Sequence, residues 1–185
     1  MYRVALAAAL AAVPILLVAC DDASPPTAPE ASAARATAEA GRPVTIMDAC
    51  DPASFDAVLG PGACTRPGGV LFARFIDLLG KHGSVGAWHF APSTFNARVG
   101  DALLATNHGG EVHTFTEVEE FGGGMVPLLN ELSGNPVPAP ECLALADEDM
   151  IPPGGTYADE VEEAGAEQYQ CCIHPWMRLT LSARP

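Results

Sequence analysis

Positive charge is what this chain has least of. Nine Lys and Arg stand against 23 Asp and Glu over 185 residues, a formal charge of −14. From residue 43 onward 19 acids face six bases, Arg66, Arg74, Lys81, Arg98, Arg178 and Arg184, and between Arg98 and Arg178 there are 15 acids and no base. A surface of that sign cannot neutralise phosphates, which excludes nucleic acid as a partner. It suits either an ordinary solvated surface or a field that steers a basic partner protein. The N-terminal apolar run is broken by Pro14 and ends too early to span a bilayer. No internal repeat stands out, and the length supports one domain with tails.

What is present begins with "MYRVALAAALAAVPILLVAC", one Arg followed by an apolar run and small residues. This reads as a secretory signal over 1–20. Its last four residues, Leu17 to Cys20, resemble the bacterial lipobox, which makes Cys20 the lipidation site and the lipid membrane a partner through that anchor. Residues 21–42 are rich in Ala, Pro, Ser, Thr and acid and cannot bury enough surface to offset their ordering entropy. They read as a disordered linker with a reach on the order of 25 Å. The expected folded domain is 43–185, exported to the cell envelope, facing the periplasm or exterior.

Within it, "GGVLFARFIDLLGKHG" spaces Leu71, Phe75, Leu78 and Leu79 at helical intervals and ends on Gly, predicting one short helix. The segments "VGAWHFAPSTFNARVGDALLATN", "VHTFTEV" and "RLTLS" read as strands separated by Gly and Pro turns. An all-β sandwich with a single helix is the expected architecture.

The densest chemistry is in "QYQCCIHPWMRLTLS". With Cys20 assigned to lipid, five cysteines remain in a compartment where disulfides persist, so at least one is unpaired. Thiolate, imidazole and thioether together favour copper, and two His, one Cys and a weak Met is the set of an electron-transfer copper site. Cys171, His174 and Met177 supply three of the four; His82, His89, His108 and His113 are the candidates for the other.

In "NHGGEVHTFT" and the Cys-x-x-His-Pro-x-Met loop the chain resembles the cupredoxin (blue, type 1 copper) family, with the compact ligand loop of its amicyanin- and plastocyanin-like members, over roughly Ala87 to Ser182. The resemblance implies a Greek-key β-sandwich and one type 1 copper held by His113, Cys171, His174 and Met177. Asn107, Thr114, Pro175 and Trp176 would surround them, Thr114 standing where the family often has an Asn that braces the loop and bonds the Cys sulfur. It also implies that the His174 ring edge reaches the surface beside Pro175 and Trp176, as the exit for electrons. A ring so placed would be protonated in competition with Cu(I), raising the reduction potential as pH falls, the alternative being that Trp176 and a 142–172 disulfide clamp the loop and the potential stays flat. The acidic, Gly/Pro-rich stretch 122–155 is longer than a small cupredoxin needs and is expected to add loops at one end of the sandwich.

Adjacent residues on an extended chain point to opposite faces, so Cys172 turns away from the metal. Cys50, Cys64, Cys142 and Cys172 then allow three disulfide connectivities, of which 50–64 with 142–172 is favoured, one pair remaining reduced being the alternative. His82 is expected to cap the helix, His89 to lie half exposed and His108 to face solvent.

The function expected is one-electron transport between redox partners, for which a basic cytochrome or copper protein would suit. Copper storage or delivery is the alternative. An enzyme is not expected: beside Cys171 and His174 no third residue or oxyanion donor can be recognised.

Overall fold

The computed structural model describes residues 41–185. The expected signal, Cys20 and almost all of the expected linker lie outside the described residues. Arg42, the last residue of that linker, begins a strand.

Two four-stranded sheets form the body. The first has the order β2-β1-β4-β6, from His89–Ala91, Arg42–Met47, Ala102–Asn107 and Thr156–Glu160. The second has the order β3-β8-β7-β5, from Thr94–Arg98, Arg178–Arg184, Gly165–Gln170 and Thr116–Val118. Each sheet contains one parallel pair, β1 with β4 and β3 with β8, among antiparallel neighbours. Alternation sets which side chains turn inward. Val44, Ile46, Leu103 and Ala105 from one sheet and Ala97, Leu179, Leu181 and Tyr169 from the other share one buried core. Phe115 stacks on Tyr169 within it, ring centroids 4.5 Å apart. The expected β-sandwich is what the chain forms.

The expectation of a single helix is corrected to three α-helices among the described residues. Helix α1, Pro52–Leu59, starts because Asp51 accepts the Ser54 N–H at 2.9 Å and Pro52 needs no intrahelical partner. Helix α2, Phe72–His82, is the expected one, and it stops where Gly83 takes a left-handed φ of 68° and donates its N–H to the Leu79 carbonyl. Helix α3, Pro127–Leu132, lies in the acidic stretch together with two 3-10 turns, Glu141–Leu143 and Asp147–Asp149. That stretch is therefore a folded insertion and not only loops. The aromatic rings of α1 and α2, Phe55, Phe72 and Phe75, close over Trp88 at one end of the sandwich.

Candidate metal centre

Strand β7 ends at Gln170 and β8 begins at Arg178, so the seven residues 171–177 form the loop between two paired strands. The loop closes on itself: the Cys171 N–H donates to the Met177 carbonyl at 3.0 Å, and the Met177 N–H to the His174 carbonyl at 2.9 Å. This turn brings Cys171 Sγ to 3.7 Å from His174 Nδ1. From the other side of the core, His113 presents Nδ1 at 3.6 Å from the same sulfur. Met177 is buried in the same loop. Three of the four donors that the resemblance implied, His113, Cys171 and His174, are thus brought together, with Cys171 as the free cysteine among the described residues.

His113 is held from behind. Its Nε2 lies 2.9 Å from Asp48 Oδ2, both side chains being buried. Asp48 also accepts the N–H groups of Gly110 and Glu111. Burial pushes the Asp48 carboxyl up, but the bonds from His113 and these backbone donors outweigh it and hold it at about 2. Burial pushes His113 down, and the bonds to Asp48 and Cys171 outweigh that, raising it to about 9. Burial likewise raises the Cys171 thiol, while His113 and His174 together bring it well below its ordinary value. Gly109 and Gly110 make the approach possible, since a Cβ on Gly109 would meet Asp48 Oδ2 at 2.0 Å and one on Gly110 would meet Cys50 Sγ at 2.7 Å. Asn107 fixes the same turn, donating to the Glu111 and Ile151 carbonyls and accepting from the Gly109 N–H.

The surface position expected for the His174 edge is corrected. The residue is 2% exposed. Its ring meets Phe75 and Trp176 edge to face, and its Nε2 faces Glu111 Oε2 at 3.7 Å. Glu111 is in turn gripped by the Trp88 indole N–H at 2.6 Å. Burial raises the Glu111 carboxyl above its ordinary value, against the opposing pull of the nearby His174. Phe75 of helix α2 and Trp176 of the loop itself lie where solvent was expected. Pro175 is buried and Trp176 half-buried beside the loop.

Cys172 does point away from the site, into a disulfide with Cys142, and Cys50 pairs with Cys64. Thr114 braces the loop twice: its backbone N–H approaches Cys171 Sγ at 3.5 Å, and its hydroxyl accepts the Cys172 N–H at 2.8 Å. The other histidines stay out of the site. His82 ends α2, and His89 and His108 are exposed, His89 more fully than expected. Asp48 and Glu111 went unrecognised in the sequence. Glu111 stands two residues before His113, the spacing that puts side chains on one face of an extended chain, and this was the available signal.

Copper suits this donor set. Both outer imidazole nitrogens face carboxylates, so both Nδ1 atoms turn toward the thiolate, as carboxylate-supported metal-ligating histidines do. Thiolate, two imidazoles and a thioether suit copper, whereas a thioether is foreign to zinc.

No protein-family model matches the chain, and no curated protein does. Solved structures align over about half of it. A purple cupredoxin from Nitrosopumilus maritimus aligns at 19% identity over 54% of this chain and 86% of its own, with a TM-score of 0.40. Amicyanin from Paracoccus versutus (Thiobacillus versutus) aligns at 16% identity over 55% of this chain and 77% of its own, TM-score 0.36. A Cu(I) structure of an amicyanin variant aligns at 19% identity over 52% of this chain and 73% of its own, TM-score 0.35. The case for copper rests on the geometry of the donors and not on these alignments.

Proposed function

We propose that this chain is a mononuclear type 1 copper protein that carries single electrons between redox partners at the cell envelope. The observation that carries the reading is the buried convergence of His113 Nδ1, Cys171 Sγ and His174 Nδ1, with both outer nitrogens facing carboxylates. Copper bound there would supply a one-electron couple between Cu(II) and Cu(I). The protein's part is to hold His113, Cys171, His174 and Met177 in one arrangement for both states, so that little reorganisation accompanies each electron. Asp48 fixes the His113 ring, Glu111 and the aromatic layer confine His174, and Thr114 fixes the thiolate and the loop behind it. Storage or delivery needs exposed, exchangeable donors, and these are enclosed.

Anchoring through Cys20 and a basic redox partner complete the proposal, on the strength of the sequence pattern and the acidic surface. Oxidised, copper-loaded protein is expected to show an intense visible thiolate-to-copper band with narrow hyperfine splitting. Cys171→Ser should abolish the band. A band that survives that substitution would remove Cys171 from the site and defeat the reading.

A further inference from the structure

With the His174 edge buried, an electron cannot leave directly from that ring. The route from His174 passes through the half-buried Trp176, packed on Phe75. On the opposite side, the insertion lies directly on the backbone of the ligand loop. The Met125 N–H donates to the Cys172 carbonyl at 2.6 Å. The approach is so close that a Cβ on Gly124 would sit 1.9 Å from that carbonyl oxygen. The contact is rigidly built: Asn130, itself buried, bonds both the N–H and the carbonyl of Gly124, and the 142–172 disulfide ties the far end of the insertion to the same residue. The 171–172 peptide, the Cys172 Cα and carbonyl, and one hydrogen bond therefore link Cys171 to Met125.

Met125 opens onto an apolar groove. It is 40% exposed and shares the groove with Leu128 at 55% and Leu143 at 69%; Val137, between the groove prolines Pro136 and Pro138, is 74% exposed. Glu131 lines the groove, and Glu141, on the turn that carries Leu143, accepts the N–H of exposed Glu119. The sequence places no Lys or Arg between 98 and 178. The nearby Arg178 is engaged by Asn135, the Pro175 carbonyl and the Phe121 ring. A greasy patch with an acidic rim is complementary to a basic protein whose redox cofactor emerges through an apolar patch ringed by lysines. A second copy of this chain would bring its own acidic rim against this one.

We propose that the groove of Met125, Leu128 and Leu143 is the docking face for a basic one-electron carrier protein, with Cys172 and Met125 as the electron's path. The inference rests on the copper reading. In the exchange one electron leaves the reduced site and reduces the oxidised partner's cofactor by one unit; no atom or proton is transferred. Tunnelling falls off more slowly along covalent and hydrogen bonds than through space, which favours this short bonded path over the packed aromatic layer.

The test is stopped-flow electron exchange between copper-loaded protein and a basic probe, horse cytochrome c, at low ionic strength. Leu128→Ser/Leu143→Ser, which removes the apolar anchors, and Glu131→Lys, which reverses a rim charge, should each lower the second-order rate about ten-fold. Val58→Ser on α1 with Leu71→Ser at the start of α2, and Glu160→Lys on β6, should leave it within about two-fold. All variants should keep the visible band and the reduction potential. Unchanged rates in the groove variants, or a loss confined to the helix variant, overturn the docking face while the copper reading stands. Failure of the wild type to exchange with cytochrome c also overturns it. Absence of a reversible copper couple in the wild type overturns the function itself. A dimer that Leu128→Ser dissolves, or groove amides in free protein that contact residues 1–40, would put another occupant there and reject the proposal.

Discussion

At the scale of single residues, Asp48 governs more than its position suggests. Its carboxylate sits one imidazole ring from the donor cluster, and at an effective dielectric near 20 a unit charge at such range is worth about 2 kcal/mol. Negative charge there favours the more oxidised, more positive state of a bound metal. Asp48→Asn keeps the shape and removes the charge, so voltammetry of the copper-loaded variant should show a higher reduction potential, by roughly that amount; no change would mean the carboxylate only orients the ring. The same residue gives the metal-free protein a pH signature. Asp48 is lowered from 3.8 to about 2, so its contribution is present above about 4 and is lost as pH falls through about 2. His113 is raised from 6.5 to about 9, so its contribution is complete below about 6.5 and is lost as pH rises through about 9. Thermal melts of metal-free protein should therefore show greatest stability from this pair between about pH 4 and 6.5, and Asp48→Asn should flatten the alkaline side. An alkaline side as steep in the variant as in the wild type would show that the pair does not govern it.

The elements explain which of these features the sequence discloses. Cys171, His174 and Met177 are legible because donor chemistry and turn spacing occur together within seven residues. Helix α2 is legible from its amphipathic spacing and terminal Gly. Helix α1 carries Asp-Pro at its start and Gly at its end, but buries only Phe55 and so lacks a periodic face. Helix α3 has six residues, too few for a period to register. Strand β1 shows its alternation only at Val44 and Ile46, against the edge of a polar segment. Asp48 was beyond sequence reasoning because its partner lies 65 residues away and only the parallel β1–β4 pairing brings them together. The contact between insertion and ligand loop is equally long-range, and it carries its own prediction. Gly124→Ala drives a Cβ into the Cys172 carbonyl, so the insertion must retreat and the thiolate shift with its neighbour. Overpacking of this kind costs about 1–3 kcal/mol, so the variant should melt lower. Its visible band should move as the Cys171 sulfur changes position. A variant with wild-type melting and spectrum would mean that the loop does not feel the insertion.

Across the whole molecule, the packing of helix α2 on the ligand loop decides how the site meets its surroundings. A bare sandwich end would leave the His174 edge near water, and a ring with room to swing would leave a reduced metal as pH falls. Here Phe75 and Trp176 pack on the ring, Glu111 faces its outer nitrogen, and Trp88 holds Glu111 in turn. The ring can turn out only if this layer opens, which would separate well-packed aromatic side chains and leave the Trp88 indole without its acceptor. The expectation of a swinging His174 is thereby reversed: in the reduced, copper-loaded protein the ring should stay in place across mildly acidic to neutral pH, visible as His174 ring resonances that do not broaden by exchange. Opening the layer should restore the motion. Phe75→Ala would cost about 3–5 kcal/mol, enough to threaten folding, so Phe75→Leu is the working variant. It should fold, retain the visible band and show exchange broadening of His174 as pH falls. Broadening already present in the wild type would mean that the helical layer does not restrain the ring, and that its burial in the ground state is no barrier to its movement.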